Sequence, residues 1–167
     1  MVNWLRHNKV AMWLLTIVRV YFGVLWAIDG WGKVSKGFDA KGFIAHAVSQ
    51  PVLTPEKAVA YPHYTSFLKS FVQPNINFFN FAVSWGELFV GLGLILGAFT
   101  TLAVFFGMMM NFAYLFAGTV SVNPMYLACE IFILIAGVNA GKIGLDRWII
   151  PYCRKKLPFL KGNPNLE

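Results

Sequence analysis

Residues 101–118 read TLAVFFGMMMNFAYLFAG. The stretch carries no charge, and Asn111 is its only strongly polar residue. A helix buried inside a soluble bundle keeps a polar face that returns every 3.6 residues, and this stretch has none. Its length approaches the ~20 residues that a helix needs to cross a ~30 Å hydrocarbon layer, so it reads as a membrane-crossing helix. Three other stretches share its character: 10–28 contains only Arg19, 78–97 only Glu87, and 124–139 only Glu130. They are continuous rather than alternating, and too few for a closed barrel. The expectation is an all-α, integral membrane four-helix bundle forming a single domain over 1–167. Its helices run over roughly 10–31, 78–97, 101–118 and 124–140, and an interfacial C-terminal tail over 143–167.

Composition agrees. Of 167 residues, 57% are apolar and 13% charged, about half the charge of an ordinary soluble domain. The net charge of +7 would fit a nucleic-acid footprint if it were clustered on one soluble face, but it follows topology instead. Four spans place both termini on one side, with Arg6, Lys9, Lys142, Arg147, Arg154, Lys155, Lys156 and Lys161 against Asp146 and Glu167. The long first loop carries five lysines and three acids. The positive-inside rule then gives cytoplasmic termini and an extracytoplasmic loop between helices 1 and 2, in a bacterial-type cytoplasmic membrane. The partner implied is a lipid bilayer with anionic headgroups, not nucleic acid. The apolar positions of the long loop (Phe38, Phe43, Ile44, Val48, then Val59, Phe67, Leu68, Phe71, Val72) are spaced like amphipathic turns, which predicts a lid over the outer face.

Arg19, Glu87 and Glu130 need an explanation, because a charge at the bilayer centre costs on the order of 2.5–3.5 kcal/mol. Counting 1.5 Å per residue puts Arg19 and Glu87 at similar depth, with Asn111, and so predicts an Arg19–Glu87 pair. Glu130 falls in the outer half. The pair could be a fold-specifying ion pair without chemistry, or part of a site. Arg19, Gly23, Trp26, Gly30 and Lys33 share one helical stripe, and Gly93 and Gly97 form a small-residue packing motif on the second span. Toward the outer end lie Trp26, Asp29, Trp31, Lys33, Tyr114, Asn123 and Glu130. Aromatic walls with a few donors and carboxylates suit a flat, weakly polar ligand such as a quinone. The candidate catalytic residues are Arg19, Glu87, Glu130 and Asp29, the last two as proton relays. Trp26, Lys33, Asn111 and Tyr114 are the candidate ligand-binding residues. His7, His46 and His63 have no metal-ligand spacing, and no metal site is expected.

Asp29-Gly30-Trp31-Gly32-Lys33, the run Glu87-Leu88-Phe89-Val90-Gly91-Leu92-Gly93-Leu94-Ile95-Leu96-Gly97, and Gly141-Lys142-Ile143-Gly144-Leu145-Asp146-Arg147 together resemble the DoxX/DoxD-like membrane proteins. The resemblance implies a four-helix membrane bundle acting as the quinone-reactive membrane subunit of an oxidoreductase, as in thiosulfate:quinone oxidoreductase. The long first loop departs from the simplest members. Two other readings stay open: a non-catalytic scaffold that docks soluble redox proteins through its basic tail, and a small-solute or proton-coupled transporter, for which a homo-oligomer would complete the path.

Overall fold

A computed structural model describes residues 1–157. Every regular element among them is helical: α1 (Val2–His7), α2 (Lys9–Lys36), α3 (Lys41–Ser49), α4 (Pro62–Phe67) running into a π-helical turn (Leu68–Val72), α5 (Ile76–Leu96), α6 (Thr100–Phe116), α7 (Asn123–Ala136), α8 (Val138–Gly141) and α9 (Asp146–Lys156). The four apolar stretches correspond to α2, α5, α6 and α7–α8. Two of these helices, α2 and α5, are long and apolar enough to cross a membrane, whereas α6 and α7 are shorter apolar helices.

Local chemistry sets the boundaries. Asn8 caps α2 by accepting from the Val10 and Ala11 amides at 2.7 and 3.2 Å, satisfying two of the four orphan donors at a helix start. The helix then runs past the expected end at residue 31 to Lys36, stopping where Gly37 takes a positive φ of 81°. The fourth stretch is not one helix: Gly137, at φ 57° and ψ −127°, breaks it into α7 and α8. The C-terminal segment begins as α9, whose Trp148 and Tyr152 are exposed. The rest of the expected interfacial tail, from 158 on and including Lys161, lies outside the described residues.

The closest packing joins α2 to α5, antiparallel. A Cβ built on Gly23 would lie 2.9 Å from the Ile95 nitrogen, one on Gly30 would overlap the Leu88 backbone, and one on Gly91 would overlap the Ala27 backbone. Positions 23, 27 and 30 are thus level with 95, 91 and 88. The exterior is strongly apolar: Ile17, Ile28, Phe78, Phe81, Phe89 and Phe105 are all exposed, while Arg19, Glu87, Asn111 and Glu130 are buried. This reverses the usual arrangement of a soluble domain.

The first loop is folded and docked. Asn80 of α5 accepts from the Ala40 amide at 2.9 Å and donates to Asp39 at 3.2 Å. The Lys41 amide and the Asn80 side chain hold the Asp39 carboxyl below the ordinary carboxylate range. Tyr64 donates to the Ala113 carbonyl of α6 at 2.9 Å, and burial pushes its phenol up to about 12. Ala40, Ile44, Ala47, Leu68 and Val72 form a small core of their own beneath these contacts.

The α2–α5 contact yields a clear expectation. Gly91→Val should destabilise the protein by roughly 1–3 kcal/mol, the cost of overpacking a close interface. Gly32→Ala, whose Cβ would meet nothing within 4 Å, should be neutral or stabilising. Thermal unfolding in detergent measures both, and equal midpoints for the two variants would refute the register.

Candidate functional site

The axial register separates the two charges that the sequence pairs by depth. Glu87 sits one residue from the level of Gly30, whereas Arg19 sits near the level of Gly97, which puts them roughly 18 Å apart along the helices. Arg19 therefore does not meet Glu87. It donates from Nη1 to the Leu94 carbonyl at 2.5 Å and from Nη2 to the Ile143 carbonyl at 2.7 Å. The Leu94 acceptor exists because α5 ends there: the Gly97 and Ala98 amides both turn back to the Gly93 carbonyl, which frees the carbonyl of Leu94, while the Ile143 carbonyl comes from the segment between α8 and α9. A helix C-terminus also carries partial negative charge. Nearby, Asp146 accepts from the Phe99 and Thr100 amides at 2.6 and 2.8 Å, capping the start of α6. Gly97 and Gly144 pack so closely that a Cβ on Gly144 would lie 2.8 Å from the Gly97 Cα. Arg19 thus belongs to a knot that ties α2, the α5–α6 turn and the segment before α9.

Toward the other end of α2 lies a cavity of about 330 Å³. Of the eight candidate residues, Trp26, Asp29, Lys33, Glu87, Asn111 and Tyr114 line it. At its polar centre Lys33 pairs with Glu87 through Oε2, and the Tyr114 hydroxyl donates to Glu87 Oε1 at 2.6 Å. The Lys33 ammonium also lies 5.4 Å from the Phe38 ring centroid, a cation–π distance. Apolar walls come from Trp26, Phe38, Phe43 and Tyr126, with Trp26 and Tyr126 edge to face at 5.8 Å. Hydroxyl and amide groups at Thr119, Ser121 and Asn123 complete the lining.

Glu130 stands behind this lining rather than in it, and is 0% exposed. Trp26 Nε1 donates to its Oε1 at 3.2 Å, and Asn111 Nδ2 to its Oε2 at 2.8 Å. A Cβ on Gly107 would lie 2.7 Å from the same Oε1, so the glycine makes the room that the carboxylate occupies. Glu130 thereby fixes the orientation of two residues that do line the cavity. Trp31, grouped with the outer aromatics by sequence, is 61% exposed and lies outside the lining.

Some of the lining escaped the sequence. Phe38 and Phe43 were legible only as amphipathic positions of a lid, and Tyr126 was hidden inside an apolar run. Its position three residues after Asn123, nearly one turn along α7, was the available signal. Asp146 appeared only as part of a glycine-rich motif, and its capping role needed the α5–α6 turn to be seen.

A family model described as DoxX matches residues 14–119. The chain belongs to the DoxX family. The match spans α2 to α6 apart from the first residues of α2, and so contains Trp26, Asp29, Lys33, Glu87, Asn111 and Tyr114. Tyr126, Glu130 and Asp146 fall beyond it. Membership, with two helices long and apolar enough to cross a bilayer, points to a membrane protein of the DoxX type. No curated protein and no solved structure matches the chain.

The Lys33–Glu87 pair should behave as a coupled unit. Lys33→Met leaves a buried carboxylate without its cation and should cost roughly 1.5–3 kcal/mol, the range for a hydrogen bond to a charged group. The Lys33→Met/Glu87→Gln double variant should recover part of that loss. A double-mutant cycle from detergent unfolding midpoints measures the coupling, and additive single effects would show that the two groups do not interact.

Proposed function

We propose that this DoxX protein is a transmembrane four-helix bundle, a single domain over 1–167 built on α2, α5, α6 and α7–α8, and that its cavity binds a quinone or similar flat redox ligand. In this reading it is the membrane subunit of a quinone-linked oxidoreductase, with cytoplasmic termini and the docked loop on the outer face. Support for the spans comes from the exposed apolar belt and from the combined run of α7 and α8, which covers 123–141 and roughly 28 Å if followed as helix. Support for the orientation comes from the basic excess beside the termini.

The observation that carries the ligand reading is the Lys33–Glu87–Tyr114 cluster facing a cavity walled by Trp26, Phe38, Phe43 and Tyr126. A quinone needs flat apolar contact on its faces and hydrogen-bond donors at its two carbonyl oxygens. Lys33 has three N–H donors, and Glu87 engages only part of that capacity. Glu87 holds the ammonium in place, so Lys33 presents a positioned cation to an oxygen that gains negative charge on reduction. Reduction to the quinol takes up two electrons and two protons. The electrons come from a soluble redox partner or a reduced substrate, and the protons enter through Asp29 at the cavity edge. Glu130 serves as a positioning residue for Trp26 and Asn111. Arg19 holds the fold at the opposite end.

Menadione, a naphthoquinone, is a suitable probe. Added to the purified protein, it should quench tryptophan fluorescence saturably. Trp26→Phe should remove much of the saturable part, and Lys33→Gln should weaken binding about tenfold, consistent with loss of a charged hydrogen bond. Linear, non-saturating quenching that is the same in wild type and both variants would overturn the reading.

A further inference from the structure

At the end of the bundle that carries the N-terminus, a second cavity of about 490 Å³ opens between α1, the α7–α8 break and α9. Arg6, His7, Lys142 and Arg154 line it, and no acidic side chain does among the described residues. The nearest acid in sequence, Asp146, is buried with both oxygens occupied by the Phe99 and Thr100 amides. Arg6 is held at the edge by donation from its Nε to the Ile135 carbonyl at 2.9 Å. That bond fixes the guanidinium plane, and its Nη groups have no protein acceptor among the described residues. α1 itself is pinned by Asn139, which donates to the Leu5 and Asn8 carbonyls at 2.7 and 3.2 Å.

Beside this basic chamber lies a narrower apolar groove of about 170 Å³, lined by Trp4 and Leu5 of α1, Leu15 and Val18 of α2, and Cys129 and Phe132 of α7 among others, with no charged residue. The two features share α1, and Phe132 is one helical turn from Ala136, which lines the chamber. A concentration of cations calls for an anion, and an uncharged slot beside it calls for hydrocarbon. A free phosphate would answer the first and leave the second open. A nucleic acid would require an extended basic track rather than a chamber next to an apolar slot.

We propose that this pair of features is a specific site for one anionic phospholipid, with its phosphate in the chamber and one acyl chain along the groove. Arg6 supplies the fork geometry that matches phosphate oxygens, and Lys142 supplies further positive charge. Basic pockets between membrane helices at the cytoplasmic surface are a recognised setting for such headgroups. The site lies at the opposite end of α2 from the quinone cavity and shares no lining residue with it. It rests on the membrane reading above, but not on the identity of the redox ligand.

Native mass spectrometry of the full chain released from detergent tests the site. With phosphatidylglycerol added, one lipid should stay bound, and phosphatidylcholine of the same chain length should be retained far less. Arg6→Gln/Lys142→Gln should bind phosphatidylglycerol about thirtyfold more weakly, and the single variant Lys142→Gln about fivefold. Both side chains are exposed, so the variants should fold, which the unfolding midpoint checks. Inorganic phosphate at equal concentration should not displace the lipid. Brominated-chain phosphatidylglycerol should quench wild-type fluorescence more than it quenches Trp4→Phe. Equal retention of the two lipids, full displacement by inorganic phosphate, or unchanged affinity in the double variant would each overturn the proposal. Flotation with pure phosphatidylcholine vesicles after an alkaline wash reports bilayer insertion independently, so failure of the membrane reading is told apart from failure of the lipid site.

Discussion

Backbone contact between α2 and α5 governs the rest of the molecule. Gly23, Gly30 and Gly91 let the two helices approach until a single added carbon would strike the opposing main chain. Such an interface tolerates little axial sliding, because each glycine faces a specific stretch of its partner. The register it enforces sets Lys33 beside Glu87 and carries Arg19 to the end of α5. Small residues serve this purpose in membranes, where apolar side chains gain little by leaving lipid for one another and association relies on close packing.

Given that register, each buried charge finds a partner of a different kind. Glu87 meets a lysine and a phenol, Glu130 an indole and an amide, and Arg19 two main-chain carbonyls. The last arrangement shows how an arginine can be held by main-chain acceptors, with the Asp146 carboxylate near it but hydrogen-bonded elsewhere. The tight α5–α6 turn doubles two amides onto one carbonyl, leaving the acceptor at Leu94 for the guanidinium, while the Leu96 and Gly97 carbonyls accept from the Leu145 and Asp146 amides. Helix ends in an apolar setting must place these groups somewhere. Here Arg19 and the segment before α9 take them up.

The helices were legible in the sequence because charge-free runs such as 101–118 admit few alternatives in water. Their partners were less so. Six of the eight candidate residues line one cavity, since Trp26, Asp29 and Lys33 lie toward the same end of one helix and Asn111 and Tyr114 share a side of another. Arg19 was paired with the wrong residue because depth was counted on both helices from one assumed inner boundary, at residue 10 of α2 and residue 97 of α5. In the fold the end of α5 at Gly97 is level with Arg19 instead, and the first residues of α2, Lys9 to Val18, run on beyond it. The end of α5 at Gly97 was legible, whereas no composition or periodicity records the break at Gly137 as an interruption of a hydrophobic run, and nothing in the sequence shows which carbonyls either feature sets free.

The same break explains why the two ends of the bundle offer different chemistry. At Gly137 the chain leaves α7 and immediately begins α8, so Asn139 can reach back to the Leu5 and Asn8 carbonyls and seat α1 across the bundle end. An uninterrupted helix through this point would carry Asn139 along the α7 axis and leave the C-terminal carbonyls of α1 without its amide. With α1 seated, Arg6 stands beside Lys142 and Arg154, and the positive charges gather around a chamber. At the opposite end, the docked loop brings Phe38 over the Lys33 ammonium while Glu87 balances its charge. One end therefore gathers cationic side chains at its surface, and the other keeps a lysine–glutamate pair within aromatic walls. The proposed anionic lipid and the proposed neutral, flat ligand each follow from that difference.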